Sequence, residues 1–249
     1  MLHYKRLGAV DKPTLVYIHG FLGSSQIYKE HIQYLANKYD IIIIDFAGHG
    51  YSASLEVSPQ IQAYVDQIEE VLIAEDVKNA TWIGHSMGGY IVLEAISKKS
   101  PYLNRAILAY STVSDDNEET KQKREKQQKL ILEQGVTHFV DNTIPAFFKA
   151  DTNKKIVSKA KEIGYEASDR GLITALEAMK TRKNQQSTID HAQIPILIIE
   201  GSEDKIVQPI ETNNPLVQKI TTSTGHLGMM EDAENFTKYV LIFLSKTNV

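Results

Sequence analysis

Four short stretches of this chain, Thr14-Leu15-Val16-Tyr17-Ile18, Ile41-Ile42-Ile43-Ile44, Ala106-Ile107-Leu108-Ala109 and Ile196-Leu197-Ile198-Ile199, are continuous apolar runs of strand length. A strand without polar alternate positions is stable only when both of its faces are covered, which is the condition inside a parallel sheet flanked by helices. Between the runs the apolar spacing changes to that of helices: Ile27 to Ala36, Ile61 to Ala74 with Ile61, Val65, Ile68 and Leu72 on one stripe, and Gly88 to Ser97. Strand and helix alternate, so the expected class is α/β, a mostly parallel twisted sheet with right-handed crossovers and helices on both faces. Ligands in such sheets bind outside the carboxyl ends of the strands, and that is where candidate chemistry should gather.

The alternation stops near Val113. Asp115-Asp116-Asn117-Glu118-Glu119 leads into a charged stretch from Lys121 to Lys129, and helical spacing continues to about Met179 without a buried strand. This predicts an inserted helical cap over residues 113–185 on a core made of residues 1–112 and 186–249. The charge run from Glu118 to Lys129 reads as a solvated helix face, not a binding patch. Sheet character returns at Ile194-Pro195-Ile196, continues at Val217 to Thr222, and the chain closes with an amphipathic helix from Phe236 to Leu244.

With 249 residues, 42% of them hydrophobic and 23% charged, one large core is expected. A net charge of −4 and the lack of a long basic stripe argue against nucleic acid as a partner. Cysteine is absent, which rules out disulfides and thiolate metal sites and fits a reducing compartment. No apolar run has the length of a signal sequence or a membrane span, so a cytoplasmic protein without a membrane partner is expected.

Gly84-His85-Ser86-Met87-Gly88 follows the strand-like Ala80-Thr81-Trp82-Ile83 and leads into the helical Tyr90 to Ala95. A sharp strand-to-helix turn strains the central residue and needs small neighbours, and it presents a serine hydroxyl at the sheet edge. Ser86 is therefore the candidate nucleophile. The same turn aims the Met87 N–H and the positive end of the following helix at the place where an oxyanion would form.

A serine hydroxyl needs a base, and the base needs an acid to fix its tautomer. Of eight histidines, His226 in Thr224-Gly225-His226-Leu227-Gly228 has the best position, on a loop between a strand and the last helix. His49 in Gly48-His49-Gly50 is the rival; His85 would point away from the hydroxyl, His19 reads as a turn-holder, and His3, His31, His138 and His191 lack supporting context. Asp204, after Glu200-Gly201-Ser202-Glu203 at the end of a buried run, is the favoured acid, with Glu203, Asp115 and Asp116 as alternatives. The second oxyanion donor is expected from His19-Gly20-Phe21-Leu22-Gly23, as the N–H of Phe21. Phe139, Ile144, Phe147 and Phe148 are candidates for an apolar roof, although any one of them serves equally to pack cap on core. Leu22, Tyr110, Met229 and Met230 flank the candidate residues as further substrate contacts, and Trp82 reads as core.

Taken together, His19 to Gly23, Asp45-Phe46-Ala47-Gly48-His49-Gly50-Tyr51-Ser52, Gly84 to Gly89, Gly201-Ser202-Glu203-Asp204 and Gly225-His226 resemble the α/β-hydrolase superfamily, in its order and over nearly the whole length. The resemblance implies a sheet of about eight strands, a helical cap after the sixth, the chain order Ser, Asp, His, and a structural role for the Gly48-His49-Gly50 loop. Dehalogenases and epoxide hydrolases of the superfamily carry Asp where this chain has Ser86. His85 and Met87 also differ from the pattern of the carbon–carbon hydrolases and of proline iminopeptidases. Gly171 to Lys180 and Arg182 resemble the cap ending of small-ester and enol-lactone hydrolases and of cofactor-free haloperoxidase-like enzymes.

The resemblance thus implies a carboxylic ester hydrolase with a Ser86, His226 and Asp204 triad, acting on a small-molecule ester without a cofactor. No H-E-x-x-H pair exists and the histidines lack ligand spacing, so no metal is expected. A thioesterase, an enol lactonase, a C–C hydrolase, an elimination enzyme or a slow-turnover receptor of the same architecture are the alternatives. Oligomeric state is not readable from the sequence.

Overall fold

The apolar runs become inner strands of one sheet, two on each side of a further buried strand. The computed structural model describes residues 1–246. In chain order its elements are β1 (Tyr4–Leu7), β2 (Thr14–Ile18), α1 (Lys29–Ile32), β3 (Asp40–Ile44), α2 (Ile61–Ala74), β4 (Ala80–His85), α3 (Met87–Ser97) and β5 (Leu103–Ala109). There follow α4 (Glu118–Thr143), α5 (Lys154–Tyr165), α6 (Asp169–Lys180), α7 (Gln186–Asp190), β6 (Ile196–Gly201), β7 (Val217–Thr222), α8 (Gly228–Glu231) and α9 (Ala233–Lys246).

The sheet order is β1-β3-β2-β4-β5-β6-β7, parallel throughout except for β1, which runs antiparallel to β3. β3 and β4 are buried at every position, as runs without alternation require. Seven strands form among the described residues, so the helical insertion between β5 and β6 follows the fifth strand of this sheet, not the sixth of eight. The edge strand β1 does alternate, with Lys5 and Leu7 exposed. Arg6 fastens it by donating to both oxygens of the buried Asp40 at 2.9 and 2.8 Å and to Glu75 at 2.6 Å.

α2 matches the predicted stripe, burying Ile61, Val65, Ile68 and Leu72 together with Tyr64 and Val71. The helix expected from Ile27 to Ala36 is shorter: a 3₁₀ turn at Ser25–Tyr28 precedes α1, and beyond Ile32 the Tyr34 and Leu35 amides pair with carbonyls three residues back. That pattern tightens the chain into turns instead of extending a helix. α4 is broken at Gly135, whose φ of 79° and ψ of 169° interrupt the helical path. Among the described residues no helix is long and apolar enough to cross a membrane.

Several histidines are structural. His31 is fully buried; Thr237 gives its hydroxyl proton to the Ala233 carbonyl at 2.6 Å, so His31 Nδ1–H donates to Thr237 Oγ1 at 2.7 Å. Nε2 is then free to accept from the Tyr17 hydroxyl at 2.6 Å. Burial pushes the pKa of His31 down to about 3, and the same cause takes His49 to about 3. An unfolded chain would protonate both near pH 6.5, where the folded protein does not. Their contribution is thus present above that pH and is lost as pH falls from 6.5 towards 3, at about 1.4 kcal/mol per pH unit for each histidine. Urea unfolding at pH 7, 6 and 5 should show stability falling with pH, and His31→Gln should reduce the slope by about one proton. An unchanged slope in that variant would show that His31 titrates alike in both states.

Candidate active site

β4 ends at His85 and α3 begins at Met87, which leaves Ser86 as the single residue of the turn. Its φ of 51° and ψ of −114° lie in a region that L-residues rarely occupy. Four hydrogen bonds hold it there. The Ser86 N–H donates to Ala109 O at 3.0 Å, while Ser86 O accepts from Gly89 N at 2.8 Å, Tyr90 N at 3.3 Å and Ser111 Oγ at 2.9 Å. The turn closes only with small neighbours, because a Cβ on Gly84 would lie 2.3 Å from Gly88 O, and one on Gly88 the same distance from Ile18 O.

Three side chains distant in sequence meet at this turn. Ser86 Oγ lies 2.8 Å from His226 Nε2, and His226 Nδ1–H donates to Asp204 Oδ2 at 2.8 Å. The carboxylate can only accept, so it fixes the proton on Nδ1 and leaves Nε2 as the acceptor facing the serine hydroxyl. The His226 and Asp204 side chains are only 2% and 4% exposed, which strengthens the charge interaction that would follow if the imidazole took a proton. Asp204 is steadied by its other oxygen, which accepts from the N–H groups of Ile206 at 2.8 Å and Val207 at 3.4 Å.

The backbone of His226 is gripped from two sides. Its N–H donates to Phe147 O at 2.7 Å, and its carbonyl accepts from His85 Nε2–H at 2.9 Å. His85 is thus a prop beneath the loop, its Nε2–H committed to the His226 carbonyl, and burial holds its pKa well below the ordinary histidine value. Glu231 steadies the same loop by accepting from Gly225 N at 2.6 Å and from Lys149 N at 2.9 Å. Nothing in the sequence marks Glu231, the last residue of α8, for that role.

The other candidates separate clearly. His19 donates through Nδ1 to Gly20 O at 2.8 Å and accepts at Nε2 from Phe46 N at 3.0 Å, which makes it the turn-holder of its loop. His49 is fully buried against His19, Phe21 and Phe46, and Gly48 beside it touches α6 so closely that a Cβ there would lie 2.2 Å from Gly171 Cα. Asp116 is buried between Arg124 and Arg182, Asp115 accepts from Asn184 at 3.1 Å, and Glu203 is exposed. Among the described residues, the carboxylate paired with His226 is that of Asp204.

Phe21 stands directly after Gly20, and Gly20 approaches the turn so closely that a Cβ on it would lie 2.7 Å from His85 Nδ1 and 3.0 Å from Ser86 Cβ. Met87 is the first residue of α3, whose N–H has no partner within the helix. A cavity of about 290 Å³ opens over Ser86 and His226, lined in part by Phe21, Tyr90, Phe147 and Val207. Of the predicted substrate contacts, Phe147 lines it. Phe139 lies behind Phe21 with ring centroids 6.0 Å apart, and Leu22, Ile144, Phe148 and Met229 are buried outside the lining. Tyr110 is buried too, its hydroxyl 3.2 Å from Thr222 Oγ1.

The charged stretch at the start of α4 is not wholly a solvated face, because Thr120, Lys123, Arg124 and Gln127 line this cavity. Spacings of three and four residues put them on one side of the helix, and that side faces the cavity.

The sequence profile of the serine aminopeptidase (S33) family matches residues 10–233. The 3-oxoadipate enol-lactonase 2 of Acinetobacter baylyi is 24% identical, over 99% of this chain and 94% of its own length. The pimeloyl-[acyl-carrier protein] methyl ester esterase of Vibrio vulnificus is 20% identical, over 98% of each. Among solved structures, a thermophilic esterase from Thermogutta terrifontis superposes with a TM-score of 0.91 at 21% identity, over 98% of this chain and 93% of that one. That last likeness establishes the α/β-hydrolase fold.

Proposed function

The chain belongs to the serine aminopeptidase (S33) family of α/β-hydrolases, and from that premise we propose that it cleaves carboxylic esters of small or medium-sized substrates through an acyl-enzyme on Ser86. The observation that carries this reading is the line from Ser86 Oγ through His226 to Asp204, with 2.8 Å at each step, ending on a serine in a strained turn. Ser86 Oγ attacks the ester carbonyl as His226 Nε2 takes its proton. The tetrahedral oxyanion is held by the N–H groups of Phe21 and Met87, a contribution of about 2.7 to 4 kcal/mol for each donor in comparable sites. The imidazolium then protonates the departing alkoxide, and water, deprotonated by the same imidazole, releases the acid and restores Ser86.

The enol-lactonase and methyl ester esterase relatives are named for reactions at a lactone and a methyl ester, both carboxylic esters, which supports this choice over thioester or carbon–carbon cleavage. Residues 113–185 act as the cap, and their Phe147 shields the oxyanion position from water. A p-nitrophenyl ester series from acetate to decanoate tests the reading. Steady release well beyond one equivalent per protein, with an optimum at one chain length, is expected. Release that stops at one equivalent would identify a receptor, and no release from any member would overturn ester cleavage.

A further inference from the structure

The cavity over Ser86 has two cationic side chains on its wall, Lys123 and Arg124, and no carboxylate, in a protein whose net charge is −4. A random sample of this surface would favour the opposite sign. Arg124 is not free to swing away, because it pairs with the buried Asp116. Asp116 in turn pairs with Arg182 at 2.5 Å, and Arg182 also donates to Ser114 O at 2.7 Å and lies 4.3 Å from the centre of the Tyr90 ring. One carboxylate between two guanidinium groups leaves this buried cluster with a surplus positive charge, fixed in place by hydrogen bonds.

Lys123 adds a second charge. It is exposed at the cavity and makes no ion pair among the described residues, so its three donors are uncommitted. Gln127 and Thr120 on the same wall supply neutral polar groups, whereas Phe21, Phe147 and Val207 on other parts of the lining are apolar. An apolar space with a localised cationic wall suits an acyl chain that ends in an anion. A carboxylate matches both the planar guanidinium and the lysine ammonium.

We propose that the α4 wall, through Lys123 and Arg124, is a subsite for a carboxylate carried by the substrate, so that the preferred substrates are half-esters of dicarboxylic acids. This rests on the ester-cleaving reading above and narrows its substrate class. Attraction between the wall and a carboxylate should speed capture and weaken with added salt.

The test compares kcat/KM for matched pairs: mono-p-nitrophenyl succinate, glutarate and adipate, each against the neutral ester in which a methyl group replaces the carboxylate. The wild-type protein should favour the charged member of at least one pair by about tenfold or more at low salt. Lys123→Glu should lower that charged-to-neutral ratio by about tenfold or more. Lys126→Glu changes net charge equally on the same helix but away from the cavity, and should leave the ratio alone. A preference for the neutral ester in every pair, or equal effects of the two substitutions, overturns the subsite. If neither member of any pair is hydrolysed, ester cleavage has failed separately. The subsite is then judged by calorimetric binding of free glutarate and adipate to Ser86→Ala protein, where saturable binding weakened by Lys123→Glu upholds it and absence of binding overturns it.

Discussion

Replacing Ser86 is expected to remove activity and, in one of two variants, to stabilise the protein. Ser86→Ala takes away the oxygen proposed to attack the ester and should reduce kcat on esters by about 10⁶-fold, the size of loss seen when a nucleophile of this kind is removed. Alanine keeps the strained φ of 51° and ψ of −114°, so its melting temperature should stay near that of the wild type. Ser86→Gly should be equally inactive but more stable. A non-glycine residue in such a region costs about 1 to 3 kcal/mol, against which glycine gives back about 0.5 to 1 kcal/mol in chain entropy. The net gain of about 1 kcal/mol corresponds to a rise of about 2–4 °C for a domain of this size. Thermal unfolding beside ester assays measures both effects. Residual activity above about one part in a thousand in the alanine variant would remove Ser86 as nucleophile. A glycine variant melting below the alanine variant would mean that the turn stores no strain.

That the strain sits at Ser86 was legible beforehand, since only a tight turn with small neighbours suits Gly84, Gly88 and Gly89 between a strand and a helix. The central strands were legible for a related reason: burial on both faces removes alternation, so β3 is four consecutive isoleucines after Asp40. Features that depend on partners far away in the chain were hidden. Tyr4–Leu7 contains Lys5 and Arg6 and does not look like a strand; it is one because Arg6 reaches Asp40 and Glu75, 34 and 69 residues on. The cavity wall was obscured likewise, since Arg124 looks solvated until Asp116 and Arg182 are placed beside it. Tyr110 was readable as adjacent to the site, but its side chain is tied to Thr222 and so is withdrawn from the cavity. Local rules thus pointed to the Ser86, His226 and Asp204 constellation, while the polar wall of the cavity emerged only from long-range packing.

Asp204→Asn should lower kcat by about 10⁴-fold while leaving the fold intact. The reason lies in which oxygen faces which donor. One carboxylate oxygen accepts from the Ile206 and Val207 N–H groups at 2.8 and 3.4 Å, and the other accepts from His226 Nδ1–H at 2.8 Å. In the asparagine variant the backbone donors still require an acceptor, so the amide oxygen keeps that place and the amide NH₂ is turned towards His226. Nδ1 must then accept, which moves the ring proton to Nε2, the atom that in the proposed reaction receives the proton of Ser86. The imidazole remains in place but holds the wrong tautomer, and the imidazolium formed during attack loses the neighbouring negative charge. Because both hydrogen-bonding positions are still filled, the melting temperature should change by less than it would on truncation to alanine. Kinetics on the best p-nitrophenyl ester together with thermal unfolding test this, and a loss of less than about tenfold would mean that Asp204 neither fixes the tautomer nor supports the charge.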